Sequence, residues 1–180
     1  MTPRIVSLLP SATEIVCALG LEHALVGRSH ECDFPPGVER LPVCTAPKAG
    51  GNNTRDIHEN ITAILQHDLS VYSVDAERLR DLRPTHIVTQ IQCEVCAVSL
   101  RDVEAALASW SDARPKIVAL NPQSLDDVFG DIRHTADSVG ATAAGENVIH
   151  SMRQRLDSIA AVTRDLPEKP RVATIEWMER

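Results

Sequence analysis

Short runs of apolar residues alternate along the chain with amphipathic stretches. Within the amphipathic stretches apolar residues recur at helical spacing, as they do from Val103 to Trp110. Seven apolar runs have the length and composition of strands, at 4–9, 24–29, 41–45, 69–74, 85–90, 116–120 and 171–177. Strands that alternate with helices predict an α/β fold, in which a parallel sheet is flanked by helices.

Polar residues and glycines indicate where the predicted helices begin and end. Ser11 and Glu14 have the spacing of a capping box at the start of the first helix, and Gly20 follows as its stop. Later helices have candidate N-caps at Asp75, Ser99 and Ser124.

The longest helix is predicted from about residue 143 to about residue 166, where Pro167 ends it. Its inward stripe is predicted to include Leu156 and Ile159. The run at 171–177 then predicts one more strand. That strand has no following helix in the sequence, so we expect it to be poorly packed, swapped with a neighbour or added to the sheet edge.

In open parallel sheets, ligands bind beyond the carboxyl ends of the strands. The loops that follow strands are therefore the ones where a site is expected. Four such loops carry polar or reactive residues, with the sequences PSAT, HECDFPP, QIQCEVCAVS and NPQS.

Composition and charge argue against some classes of binding partner. The formal net charge is −7 and no basic cluster is present, which argues against nucleic acid or an anionic membrane as a partner. No apolar run reaches the ~20 residues of a membrane-spanning helix. The first residues lack the features of a signal peptide, so we expect a cytoplasmic location, or an extracytoplasmic one if a leader has been removed.

The loop HECD places an imidazole, a thiol and two carboxylates in four positions, His30 to Asp33. Imidazole and thiolate are ligands for zinc and other borderline metals. Three roles are open from the residues: metal ligation, direct contact with a ligand without metal, and a structural role. In the structural role His30 and Asp33 bind loop backbone groups and Phe34 packs against the protein.

The second cysteine loop, CEVC, contains Cys93 and Cys96. With His30 and Cys32 these thiols would complete a Cys3His site for zinc or iron if the two loops meet. A redox-active pair is an equal alternative, because Ser99 predicts a helix N-terminus nearby and such positions lower thiol pKa values. The third alternative is that Cys93 and Cys96 are small buried hydrophobic residues. No catalytic motif is present, so we do not expect an enzyme.

Three segments together resemble the Fe/B12-type substrate-binding proteins of ABC transporters, and above all their cobalamin-binding subgroup. They are RIVSLLPSATEIVCALG, LVGRSHECDFPP and LRPTHIVTQ. The resemblance implies two α/β lobes joined by one long helix, with the ligand bound between them. It implies that residues 1–142 form the first lobe, 143–166 the joining helix and 167–180 the start of a second lobe whose remainder is absent.

The resemblance also implies a function, namely non-catalytic binding of a corrinoid or a related metal chelate as part of an ABC-type uptake system. A cobalamin would be the ligand and an ABC permease the protein partner, and His30 could be an axial ligand. The alternative is an intracellular metal or thiol-redox protein that uses His30, Cys32, Cys93 and Cys96. The candidate ligand-binding residues are Ser11, His30, Glu31, Cys32, Asp33, Phe34, Gln90, Cys93, Glu94 and Trp177.

Overall fold

The computed structural model describes residues 2–48, 71–91, 98–108, 110, 114–166, 168 and 170–175. Four parallel strands form the central sheet, in the order β2–β1–β5–β6. Their bounds are β1 Ile5–Ser7, β2 Leu25–Arg28, β5 His86–Gln90 and β6 Lys116–Leu120. The predicted fold class, a parallel sheet flanked by helices, is confirmed.

One core cluster lies where the sheet meets α1 (Pro10–Ala18) and contains Ile5, Val16 and Val118, all fully buried. A further cluster joins two later helices, α4 (Leu125–Ser138) and α5 (Thr142–Thr163). The close approach of α4 and α5 requires a glycine, because a Cβ on Gly145 would come within 2.6 Å of the Ala136 Cβ.

The second large core cluster contains Val6, Leu79, Ile87 and Val103. Ile5 and Val6 belong to different clusters because successive strand residues point to opposite faces. The elements around this cluster are α2 Ala76–Leu82, α3 Leu100–Leu107, and the antiparallel pair β3 Thr45–Pro47 and β4 Tyr72–Val74.

Three of the four predicted N-caps are confirmed. The side chains of Asp75, Ser99 and Ser124 each accept a hydrogen bond from a backbone N–H in the first turn of α2, α3 and α4. The predicted capping box at Ser11 is wrong. Helix α1 already begins at Pro10, whose fixed φ suits the first helical position, and no side chain caps it.

Two predicted strands differ from the structure. The run at 41–45 is mostly loop, in which Val43 makes an isolated bridge to Arg28 and regular pairing begins only at Thr45. Residues 171–175 are exposed and do not form a strand, and the rest of that prediction lies outside the described residues. A strand needs a hydrogen-bonded neighbour, and nothing within the described ranges pairs with 171–175.

The second half of α5 does not turn its apolar residues inward, contrary to the prediction. Leu156 is 39% exposed and Ile159 is 58% exposed. The contacts of α5 with α4 involve its first half, where Ile149 packs with Phe129 and Ile132. The apolar stripe of α5 therefore continues beyond the helix that it packs against.

Candidate functional site

The carboxyl ends of the four parallel strands form one edge of the sheet, called here the strand-end edge. Ser11 lies just after β1, His30 just after β2, and Gln90 is the last residue of β5. Asn121 follows β6 at the same edge. The topology therefore brings three of the predicted ligand-binding residues, Ser11, His30 and Gln90, to the edge where ligands of open α/β sheets bind.

The loop after β2 is held by the side chain of Arg28, the last residue of that strand. Its guanidinium donates hydrogen bonds to the carbonyl oxygen of Ser29 at 2.9 Å and to that of Glu39 at 3.0 Å. The two acceptors lie at the start of the loop and beyond its prolines. The loop that carries His30 is thus fixed to the sheet at both of its ends.

His30 is half-buried and is held by Thr45, the first residue of β3. The Thr45 Oγ1 accepts a hydrogen bond from the His30 backbone N–H at 3.0 Å and lies 2.7 Å from the imidazole Nδ1. The same hydroxyl donates to Ser29 Oγ at 3.1 Å. Within the described part of the chain Nε2 makes no hydrogen bond. One imidazole nitrogen is therefore fixed and the other remains available.

Tyr72, the first residue of β4, supports the same loop from the other side. Its ring centroid lies 5.3 Å from that of His30, with the two planes tilted by 46°. Its hydroxyl donates to Glu31 Oε1 at 3.2 Å. Sequence reasoning did not select Tyr72, since only the pairing of β3 with β4 brings it to this loop. The available signal was an aromatic residue within the predicted strand at 69–74.

Cys32, by contrast, points away from the surface and is 1% exposed. The Thr13 hydroxyl, which lies inside α1, is 3.0 Å from its Sγ and 2.8 Å from Ser7 Oγ. Burial raises the pKa of the Cys32 thiol above its usual value, although the contact with Thr13 opposes this. A protonated, buried thiol is a poor metal ligand and a poor nucleophile.

Asp33 and Phe34 are exposed at the tip of the loop. Phe34 is 57% exposed, so the structural role in which its ring packs against the protein is wrong. An exposed aromatic ring offers an apolar surface on which a flat ligand can stack, and this ring lies in the same loop as His30.

A small cavity of about 80 Å³, called here the strand-end hollow, lies between α1 and α4 at the ends of β5 and β6. Three polar residues line it, namely Ser11, Gln90 and Asp131. Its apolar walls include Leu9, Ile15, Leu120 and Val128. Two predicted site residues, Ser11 and Gln90, therefore meet in one cavity.

Asp131, on α4, was not selected from the sequence, although it lies three residues after Val128 at the border of the apolar stripe. Its Oδ2 atom is buried and has no hydrogen-bond partner among the described residues. Burial raises the pKa of the Asp131 carboxyl, while the backbone N–H of Asn121 and the nearby His134 act in the opposite direction. Burying such an atom lowers the stability of the fold unless a hydrogen-bond donor binds it.

A larger groove of about 840 Å³ continues from the hollow between α1, α4 and α5. The two cavities share Ser11, Ile15 and Val128. The volume of the groove is within the range of ~300–1,000 Å³ that is typical of small-molecule sites.

The described residues contain no group of three or more His, Cys, Asp and Glu side chains that could hold a metal ion. The predicted Cys3His site also needs Cys93 and Cys96, which lie outside the described residues, as do Glu94 and Trp177. That site therefore stays a prediction. Of its four members the structure describes only His30, which keeps an available nitrogen, and Cys32, which is buried.

Comparison with family models decides the family. Residues 5–180 match the model described as periplasmic binding protein. The chain belongs to the periplasmic binding protein family. This agrees with the resemblance to substrate-binding proteins. No curated protein sequence gives a significant match.

Solved structures with the same fold include the periplasmic vitamin B12 binding protein of Vibrio cholerae, with 23% identity and a TM-score of 0.60 over 91% of this chain and 51% of that one. A periplasmic heme-binding protein from Roseiflexus sp. RS-1 has 22% identity and a TM-score of 0.65, over 94% and 53% of the two chains. The periplasmic heme-binding protein of Vibrio cholerae has 20% identity and a TM-score of 0.62, over 94% and 52%.

The chain thus spans about half the length of these solved relatives. At these identities the similarity establishes the fold and not the ligand. None of the described helices has the length and apolar character needed to cross a membrane.

Proposed function

We propose that the protein is a non-catalytic binder of a corrinoid, such as a cobalamin, or of a related metal chelate, in an ABC-type uptake system. The ligand would lie against the strand-end edge, and an ABC permease would be the protein partner. In this proposal residues 1–142 form one ligand-binding lobe, 143–166 join it to a second lobe and 167–180 begin that lobe.

The observation that carries the proposal is the fixed imidazole of His30, in a loop that also carries the exposed ring of Phe34. Thr45 holds the Nδ1 atom at 2.7 Å, which leaves Nε2 for a ligand. A hydrogen bond on one imidazole nitrogen is the usual arrangement when the other nitrogen binds a metal. The ring of Phe34 would contact the flat face of a macrocycle.

A metal chelate also fits the shortage of protein ligands. The described residues do not assemble three metal-binding side chains, which a metal site built by this part of the chain would need. A metal that is already held by a macrocycle needs only one axial ligand from the protein. His30 alone can meet that need.

The second function, a metal or thiol-redox protein, is less well supported. It requires Cys32 as a reactive thiolate, and the burial of this thiol opposes ionisation. The two functions also imply different locations, because uptake requires the protein to meet its ligand outside the cytoplasm. We therefore favour an extracytoplasmic location, which accords with the family description.

Titration of the protein with aquocobalamin and with hemin, followed by absorption spectroscopy, tests the proposal. We expect saturable binding of at least one of them, with a spectral shift that is lost in His30→Gln. The control is His150→Gln, an exposed histidine on α5. No saturable change with either chelate would contradict the function, and an equal shift in His30→Gln would contradict the role of His30.

A further inference from the structure

The strand-end hollow is lined by Asp131, whose carboxylate has one oxygen that the described residues leave unpaired. This Oδ2 atom is buried and has no partner in the ranges that the structure describes. Most of the surrounding walls are aliphatic, and the nearby titratable groups are Asp127 and His134. A buried carboxylate oxygen in such surroundings is stabilised when an N–H donor binds it.

The size of the hollow restricts what that donor is. A cavity of about 80 Å³ is well below the ~300 Å³ at which typical small-molecule sites begin, so it admits only a small group. A macrocycle is too large, but a primary amide or an ammonium group at the end of one of its side chains fits. Gln90 and Ser11, which also line the hollow, supply further polar atoms.

The hollow and His30 are close enough for one ligand to contact both. In the order β2–β1–β5–β6, three spacings between adjacent strands lie between β2 and β6. Strand β2 precedes His30, and β6 ends at the hollow. At ~4.8 Å between strands, this corresponds to about 14 Å along the strand-end edge. A macrocycle with extended side chains spans such a distance, so one ligand can reach both places.

We propose that the strand-end hollow is a subsite for an N–H donor group of the ligand, bound by Asp131. This inference rests on the proposed function and adds to it a preference between two classes of ligand. Corrinoids carry primary amides around the ring, whereas heme carries carboxylates. The Asp131 carboxylate attracts the amide N–H groups and repels the heme carboxylates. The subsite therefore selects a corrinoid over heme.

The test compares cyanocobalamin and hemin binding by wild type and by Asp131→Leu, which has a similar size but no acceptor. We expect the affinity for cyanocobalamin to fall at least ~10-fold, as for a buried charged hydrogen bond, while the affinity for hemin stays or rises. The control is Asp126→Asn, an exposed carboxylate on the same helix. Equal cyanocobalamin affinity in wild type and Asp131→Leu would overturn the subsite.

A second measurement tests the subsite even if the protein binds neither chelate, a result that would contradict only the proposed function. Acetamide and methylammonium are titrated while the amide NMR signals of Ser11, Gln90 and Asp131 are followed. We expect saturable shifts at millimolar concentration in wild type and none in Asp131→Leu. The absence of saturable shifts with both probes in wild type would overturn the proposal, and shifts that persist in Asp131→Leu would do so as well.

Discussion

The imidazole Nδ1 of His30 lies 2.7 Å from the hydroxyl oxygen of Thr45, fifteen residues further along the chain. This contact joins the loop after the edge strand β2 to the start of the β3–β4 pair. Thr45 is buried and its hydroxyl also binds Ser29. One hydroxyl group therefore fixes the ring that the proposed function uses.

Thr45→Val should release that ring and remove one of the two donors to the buried Ser29 hydroxyl, which leaves only the Glu31 backbone N–H. We expect a loss of about 1–3 kcal/mol in the free energy of unfolding, measured by urea denaturation. Thr45→Ser keeps the hydroxyl and should lose much less. Equal losses in the two variants would mean that the methyl group, and not the hydrogen bonds, accounts for the effect.

Gly27 in β2 should not tolerate a side chain. A Cβ there would come within 2.7 Å of Leu82 Cδ1 and 2.8 Å of Cys44 Sγ. We expect Gly27→Ala to lower the melting temperature and to cost about 1–3 kcal/mol, as overpacking does. Gly130→Ala is the matched control, because nothing lies within 4 Å of its Cβ position inside α4. It should stabilise the protein by about 1 kcal/mol, and destabilisation by both variants would contradict the packing argument.

The buried thiols should react slowly in the native state. Burial raises the pKa of Cys44 to about 11 and also raises that of Cys32, so few thiolates form at pH 8. The pKa of Cys17 is raised as well, but its thiol is only half-buried and is accessible to the reagent. Alkylation with iodoacetamide, read by mass spectrometry of the peptides, should therefore be at least ~10-fold slower at the two buried thiols than at Cys17. Alkylation of Cys32 as fast as that of Cys17 would favour the thiol-based function.

The Cys44 thiol also gives a dependence of stability on pH. The native state holds this proton more tightly than the unfolded state, in which the thiol has its ordinary pKa of 9.0. Stability should therefore be intact below pH 9 and should fall as the pH rises from 9 toward 11. Urea denaturation of wild type and Cys44→Ala across this range measures the effect, and parallel curves for the two proteins would refute it.

The contribution of Asp131 to the free energy of unfolding should be smaller at neutral pH than in acid. Its raised native pKa means that the folded state binds the proton more tightly than the unfolded state, in which the carboxyl has its ordinary pKa of 3.8. The contribution of Asp131 to stability is thus complete below pH 3.8 and is lost as the pH rises through the native pKa. The difference in stability between Asp131→Asn and wild type should grow with pH over this interval. A constant difference would contradict the assignment.

Much of the fold could be predicted from the sequence because the local signals agree with one another. Asp75, Ser99 and Ser124 each precede an amphipathic run, and each caps a helix in the structure. Ser11 has the same local pattern, but Pro10, with its fixed φ, is the first helical residue, so the helix starts two residues earlier than a cap at Ser11 would place it. The predicted inward stripe reaches too far along α5, because helical periodicity does not reveal where the neighbouring helix ends.

The site was predictable only in part, for a physical reason. His30 and Ser11 follow strands and Gln90 ends one, and parallel topology alone places them at one edge. The orientation of Cys32 depends on its contact with Thr13, nineteen residues away. Tyr72 and Asp131 reach the edge through the β3–β4 pairing and the packing of α4. Long-range contacts of this kind leave little trace in the local sequence.

The central claim is that a metal chelate binds at the strand-end edge. Its most direct test is to map amide NMR shifts during separate titrations with cyanocobalamin and with hemin, where at least one of the two should bind. The account predicts saturable shifts at Ser11, His30, Gln90 and Asp131, and none at Glu22 and Gly140, which lie toward the opposite edge. Shifts centred on Glu22 and Gly140, or no saturable shift anywhere on the sheet, would contradict it.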